Sequence, residues 1–232
     1  MKEPCLTLAA MPVSVVSIRS RAALLASASA LAGAVLLSGC GGGSSSSSTP
    51  ALVSAASGSA GFDGAALPAG VHAPPFALRD QNGARVSLSA YRGQVVVLAF
   101  LSSTCGSTCQ LIAQQIRGAL DELSTVPPVL VISADPVADT PANVNRFLGD
   151  VSLSGRVRWL SAPAAALRPI WRAFRVRPVS AGAAAFANSA SIYLIDRDGL
   201  ERVIFQLEQL TPEALSHDVR KLQQAPGAAI GG

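Results

Sequence analysis

The sequence predicts an α/β fold: a central mixed sheet flanked by helices, with an N-terminal β-hairpin extension. Three observations carry this. Gln94–Leu101 (QVVVLAFL) and Val129–Ser133 (VLVIS) are uninterrupted apolar runs of strand length, the pattern of strands buried on both faces. Between them Cys109, Ile112, Ala113, Ile116, Leu120 and Leu123 recur at helical spacing, which predicts a strand–helix–strand unit. Near the end, Ser191–Ile195 and Val203–Leu207 flank Asp198-Gly199, two short apolar runs around a turn signal.

Each element has a local reason. Phe76-Ala-Leu78 and Arg85–Leu88 form a hairpin, because Asn82-Gly83 between them supplies the positive φ angles of a tight turn. Pro127-Pro128 ends the first helix. Thr140 is an N-cap with Pro141 at the first helical position, opening a helix to about Leu148. Val157–Leu160 is a short strand, and Ala164–Phe174 a helix that Pro169 shortens or kinks. Thr211-Pro212-Glu213 opens a closing helix to about Gln223. The order is that of the thioredoxin fold with added elements at the front and in the middle. In that arrangement the first two buried strands are parallel neighbours, and ligands bind beyond their carboxyl ends. Cys105, Asp135 and the Ala187–Ser189 loop are therefore expected at one end of the sheet.

The chain has 232 residues, half of them hydrophobic, with 14% charged and a net charge of +4. That is ample for a core without disulfides or metals, and too apolar for a wholly disordered chain. The absence of any Lys/Arg-rich run excludes a nucleic-acid signature. Ala22–Leu37 is uncharged and apolar behind Arg19 and Arg21, short for a membrane span and suited to the core of a secretory signal. It runs into Leu37-Ser38-Gly39-Cys40, which resembles the lipobox of bacterial lipoproteins, where the cysteine is lipidated and becomes the first residue. A plain anchor or an ordinary cleaved signal is the alternative. Residues 1–39 are thus expected to be a lipoprotein signal, with Met11 a candidate true start and Cys5 discarded. Residues 40–70, rich in Gly, Ser and Ala, read as a flexible tether. A coil from Cys40 to Phe76 spans on the order of 33 Å r.m.s.. Residues 71–224 form the folded domain, and 225–232 a frayed tail.

Of the four cysteines, Cys105 and Cys109 remain as the candidate site. Their C-x3-C spacing, directly after a buried strand, places both sulfurs on one face of one helical turn. Backbone amides at a helix N-terminus favour thiolate, most at Cys105. Two such sulfurs exchange with disulfides or hold a soft ion such as Cu(I). A disulfide across one helical turn is near the edge of allowed geometry and is expected to be reducible. A permanently closed, inert disulfide is the competing reading, and position argues against it.

Several segments resemble the Sco/SenC family, thioredoxin-like copper- and thiol-handling assembly factors for cytochrome c oxidase. They are Pro75-Phe76-Ala-Leu78-Arg-Asp80-Gln-Asn-Gly83, then Leu88 and Arg92-Gly93, Cys105-x3-Cys109, Asp135-Pro136-Val-Ala-Asp139-Thr140-Pro141, and Ser189-Ala-Ser-Ile192-Tyr193-Leu194-Ile195-Asp196-x-x-Gly199. The Asp-Pro-x-x-Asp-Thr-Pro stretch is the most specific. The resemblance implies catalytic Cys105 and Cys109, Cu(I) on the same sulfurs, and a disulfide between them. It also implies an oxidase copper-site subunit, or another thiol or copper protein, as partner, and a place on the periplasmic face of a bacterial membrane, lipid-anchored through Cys40.

The departures bear on function. The family usually has a proline after each cysteine; here Gly106 and Gln110 stand there. The family's copper-ligand histidine falls at Asn188, in Ala187-Asn188-Ser189, and an amide is a weak copper donor. Copper binding is therefore expected to be weakened, Cu(II) more than Cu(I). Only His72 and His217 exist as stand-ins. Both read as surface residues, with His72 the better candidate because its segment could fold over the site. Asp135 ends a strand at the site edge and could tune the thiols or accept a proton, whereas Asp139 reads as a turn and cap residue. Trp159, Trp171 and Phe174 read as core. Arg168, Arg172, Arg175 and Arg177 form a basic cluster, a solvated face or a dock for an acidic partner.

The favoured function is thiol–disulfide exchange, with Cys105 attacking and Cys109 resolving. The alternatives are a copper chaperone without catalysis and a divergent lipoprotein with an inert disulfide. A peroxidase lacks support, because only Ser102-x-x-Cys105 mimics that pattern and no proline precedes it. A thioredoxin-type reductase would show C-x-x-C.

Overall fold

The computed structural model describes residues 61–225. The expected signal over 1–39, the start at Met11, the lipid site Cys40, most of the expected tether and all but the first residue of the expected tail lie outside them.

The buried apolar runs form the middle of the sheet. β4 (Val96–Leu101) and β5 (Val129–Ser133) are buried along their whole length. They pair in parallel, with Leu101 opposite Ser133, so their carboxyl ends lie side by side. β6 (Arg158–Ser161) continues the parallel set on the far side of β5. β7 (Ser191–Ile195) runs antiparallel to β4, so its amino end arrives at the same edge. With β1 (Ala65–Ala66), β2 (Ala77–Asp80), β3 (Arg85–Ser87) and β8 (Glu201–Gln206), the eight strands lie in the order β1-β8-β7-β4-β5-β6-β2-β3. Here β2 and β3 are the front hairpin and β8 pairs with β7. This is the mixed, thioredoxin-like sheet that the element order predicts.

The helices follow their signals. α1 (Ser107–Asp121) buries Cys109, Ile112, Ala113, Ile116, Ala119 and Leu120. α2 (Pro141–Asp150) is capped by Thr140, whose hydroxyl accepts from the Asn143 N–H. α3 (Ala164–Ala173) accommodates Pro169. α5 (Pro212–Gln224) starts at the Thr211 cap and packs beside α1. Trp159, Trp171 and Phe174 are core as expected, and Phe174 stacks edge-on to Tyr193 with centroids 5.0 Å apart. A short helix, α4 (Ala183–Ala187), has no counterpart in the sequence reading. Among the described residues no helix is long and apolar enough to cross a membrane.

The fold begins earlier than residue 71. Ala65–Ala66 form β1 on the edge of β8, and Phe62 is buried. The buried Asp218 accepts the backbone N–H groups of Asp63 and Gly64, each at 2.9 Å. The last ten residues of the expected tether thus belong to the domain.

Candidate dithiol site

β4 delivers the site. Past Leu101 the chain turns through Ser102, Ser103 and Thr104 before α1 begins. Cys105 lies outside the helix, Gly106 is the N-cap, and Cys109 sits in the first turn. This corrects the expectation that both sulfurs share a helical turn. The physical cause is Gly106, whose φ of 71° and ψ of −144° break the helix in a region open to glycine. Proline, with φ near −65°, cannot take this conformation, which accounts for its absence after the first cysteine.

The two sulfurs form a disulfide with a Cα–Cα distance of 5.8 Å. They are not equivalent. Cys109 is fully buried, and its sulfur accepts the Ser102 backbone N–H at 3.3 Å. Cys105 is half-exposed. Of the two sulfurs, only that of Cys105 stands in a residue open to solvent. No side chain caps α1, so its first amides face the loop that carries Cys105.

Beneath the loop lies a carboxylate that the sequence reading assigned to a turn. Asp139 is buried and accepts four hydrogen bonds. They come from Ser103 N–H at 2.7 Å, Ser103 Oγ at 2.7 Å, Ser102 Oγ at 3.2 Å and Ser133 Oγ at 2.6 Å. Its position follows from the Asp-Pro-x-x-Asp-Thr-Pro stretch. The Asp139 N–H bonds to Asp135 O at 2.9 Å, and the next residue caps α2, which turns the Asp139 side chain back over the ends of β4 and β5. Asp135 itself is half-buried, and among the described residues its carboxylate accepts only from Ala138 N–H at 3.3 Å. Asp135 makes the turn, and Asp139 does more than the turn and cap role expected of it: it holds the dithiol loop. The hydroxyls at 102, 103 and 133, each at the end of a buried strand, were the available signal.

Asn188 is the exposed C-cap of α4, ahead of β7, and its side chain makes no hydrogen bond among the described residues. Neither histidine substitutes for it. His72 bridges Leu200 beside the β7–β8 turn, at the end of the sheet opposite the dithiol, so it cannot fold over the site. His217 lies on α5 between Asp63 and Asp218, at 3.0 and 2.9 Å.

The family model for SCO1/SenC matches residues 65–224. Among solved structures, yeast Sco1 aligns with a TM-score of 0.58 at 19% identity, covering 69% of this chain and 100% of that one. Copper-bound yeast Sco1 aligns at 0.55 and 18%, covering 69% and 96%. BsSco, a member of the Sco family of cytochrome c oxidase assembly proteins in which a disulfide switch was identified, aligns at 0.52 and 19%, covering 69% and 98%. No curated protein matches the sequence. The structural likenesses show the fold; the family model, spanning well over half of the sequence, shows that the chain belongs to the SCO1/SenC family.

Proposed function

We propose that the chain is a membrane-tethered Sco-type protein. In this reading Cys105 and Cys109 exchange disulfides with a target and carry Cu(I) during assembly of the copper centre of cytochrome c oxidase. The lipid on Cys40 holds the domain at the periplasmic face of the membrane, and the partner is the oxidase copper-site subunit or another thiol or copper protein. The observation that supports it best is the asymmetric disulfide, with one accessible sulfur and one buried sulfur, in a chain of the SCO1/SenC family. In the forward step the reduced Cys105 thiolate attacks a target disulfide, forming a mixed disulfide and releasing one target thiolate. Cys109 then attacks Cys105, releasing the second. Two electrons pass to the target and the Cys105–Cys109 disulfide forms.

The second reading is a copper chaperone. It is favoured by the copper-bound form of yeast Sco1, which shares the fold. Here copper is cargo. The donors available are two sulfurs, a set that suits Cu(I) and serves Cu(II) poorly. An inert disulfide is disfavoured by the exposure of Cys105.

The test is to titrate the reduced chain with Cu(I) against a competing chelator and to measure the dithiol potential on the same sample. Loss of copper in competition, with a potential in the range of exchange enzymes, supports exchange and sinks the chaperone. A potential far below about −300 mV without copper retention sinks both. Asn188→His is expected to tighten Cu(II) retention; an unchanged affinity would contradict a place for Asn188 beside the sulfurs.

A further inference from the structure

From Val151 to Ile195 the chain holds six arginines and no acidic residue. Two of the six are neutralised: Arg156 pairs with Asp121 at 2.7 Å and Arg158 with Asp80 at 3.1 Å. Arg168, Arg172, Arg175 and Arg177 are exposed, and their guanidinium groups make no ion pair among the described residues. The buried Glu201 feels Arg175: burial pushes its carboxyl pKa up and Arg175 pulls it back, yet the two form no ion pair.

Three hydrogen bonds tie the segment from the end of α3 to Val179 to the sheet. The Trp171 indole N–H donates to Ser133 O at 2.9 Å, Arg177 N–H to Ser189 Oγ at 2.8 Å, and Val179 N–H to Ala134 O at 3.1 Å. All three acceptors lie where β5 ends or β7 begins, the edge that carries the dithiol. Arg168 and Arg172 share one face of α3, four residues apart. The helix then ends in a Schellman turn, with Val176 N–H on Trp171 O at 2.8 Å and Arg175 N–H on Arg172 O at 3.1 Å. Its left-handed position, φ 56°, is the place for glycine, and Arg175 occupies it. A charged side chain is thus held at a position that backbone energetics reserves for none. Val137, 86% exposed, lies in the loop after β5 at the same edge.

We propose that this arginine face, on the segment that Arg177 and Val179 tie to the dithiol edge of the sheet, docks an acidic protein surface that carries the partner's sulfurs. The choice of protein over lipid rests on the exchange reading above: sulfur meets sulfur only when the partner fills the surface contiguous with Cys105. Guanidinium groups without an ion pair on this face would steer encounter and set which targets are used.

Binding and exchange are tested separately on the full chain. The binding probe is a fluorophore-labelled, cysteine-free, glutamate-rich peptide, compared with a lysine-rich peptide and with vesicles of phosphatidylglycerol and phosphatidylcholine in equal parts. The expected result is binding of the acidic peptide that fades as salt rises, with roughly tenfold loss when all four arginines become glutamine. Arg175→Gly alone should weaken binding while leaving the melting temperature unchanged or higher, which separates the charge from the fold. The exchange probes are glutathione disulfide, which is anionic, and cystamine, which is cationic. Each reduced chain would pass two electrons to one probe molecule, giving two thiols and the Cys105–Cys109 disulfide. A faster reaction with glutathione disulfide, reversed by arginine-to-glutamate substitution at 172, 175 and 177, supports the proposal. Peptide binding indifferent to the arginine variants overturns it, as does tighter binding to the vesicles than to the peptide. Arginine-dependent peptide binding with neither disulfide reduced would keep the docking face and remove the exchange reading.

Discussion

Two buried carboxylates each fasten a segment to this domain, and they do it differently. Asp218, on α5, holds the N-terminal strap through the backbone N–H groups of Asp63 and Gly64, with the His217 ring at 2.9 Å. Asp139 holds the dithiol loop through the Ser102 and Ser103 hydroxyls and the Ser103 backbone N–H, and is itself held to the end of β5 by the Ser133 hydroxyl. Backbone donors are fixed once the chain is placed. Hydroxyl donors rotate about χ1 and can let go without moving the backbone. The strap is also packed: Phe62 is buried, with Lys221 Nζ 4.8 Å from its ring centroid. The dithiol loop keeps Cys105 half-exposed. One anchor grips backbone in a packed segment; the other grips mainly hydroxyls beside a half-exposed cysteine.

The comparison breaks first at Asp139. Asp139→Asn replaces an all-acceptor group with one whose amide N–H₂ opposes a donor. The expected cost is about 3 kcal/mol of stability, read from urea unfolding of the oxidised chain. The exchange rate of the reduced chain should change as well, because the Ser102 N–H no longer holds its aim at Cys109 Sγ. An unchanged rate would reduce Asp139 to a structural residue. Asp218→Asn is expected to cost about 2 kcal/mol, by the same measurement, with exchange at the dithiol untouched. A slowed exchange there would erase the distinction between the two anchors.

Glycines sharpen the same contrast. A Cβ on Gly64 would stand 2.5 Å from Val203 Cγ1 and 2.9 Å from Phe205 Cζ, so the strap needs space. A Cβ on Gly106 would meet nothing within 4 Å, so the dithiol loop needs only the φ of 71°. Both alanine variants are expected to lose about 1–2 kcal/mol, measured by denaturant midpoint. Gly106→Ala alone should shift the thiol–disulfide potential, since it alone moves Cys105 against Cys109.

The legible parts of this molecule were those with long-range periodicity or local punctuation. Two apolar runs named β4 and β5, Pro127-Pro128 separated them, and Thr140-Pro141 and Thr211-Pro212 marked two helix starts to the residue. β1 was hidden because two alanines in a Gly/Ser/Ala stretch carry no burial pattern; only their partners on β8, Ile204 and Val203, make them a strand. The start of α1 was hidden because C-x3-C fits a helical turn as well as the Gly106 break does. The loop-holding role of Asp139 is hidden for a similar reason. Beside a cap, an aspartate has a sufficient local explanation, while its three hydroxyl donors come from residues 102, 103 and 133.

Tyr193 supplies the neutral counterpart to the two carboxylates. Its phenol donates to Phe174 O at 2.6 Å, tying the end of α3 to β7. Burial, reinforced by Glu201 and partly offset by Arg175, pushes its pKa up to about 12. A raised folded-state pKa means that the stabilising proton is fully in place below pH 10, the ordinary phenol value. That contribution is then lost as pH rises through about 12. Tyr193→Phe is expected to cost about 1 kcal/mol at neutral pH, less than either carboxylate, because a neutral bond is lost and Phe174 O stays buried. The variant should also lack the alkaline component of unfolding expected of the parent chain as pH rises through about 12. Equal losses for Tyr193→Phe and Asp218→Asn at neutral pH would mean that charge adds nothing to the anchoring of either segment.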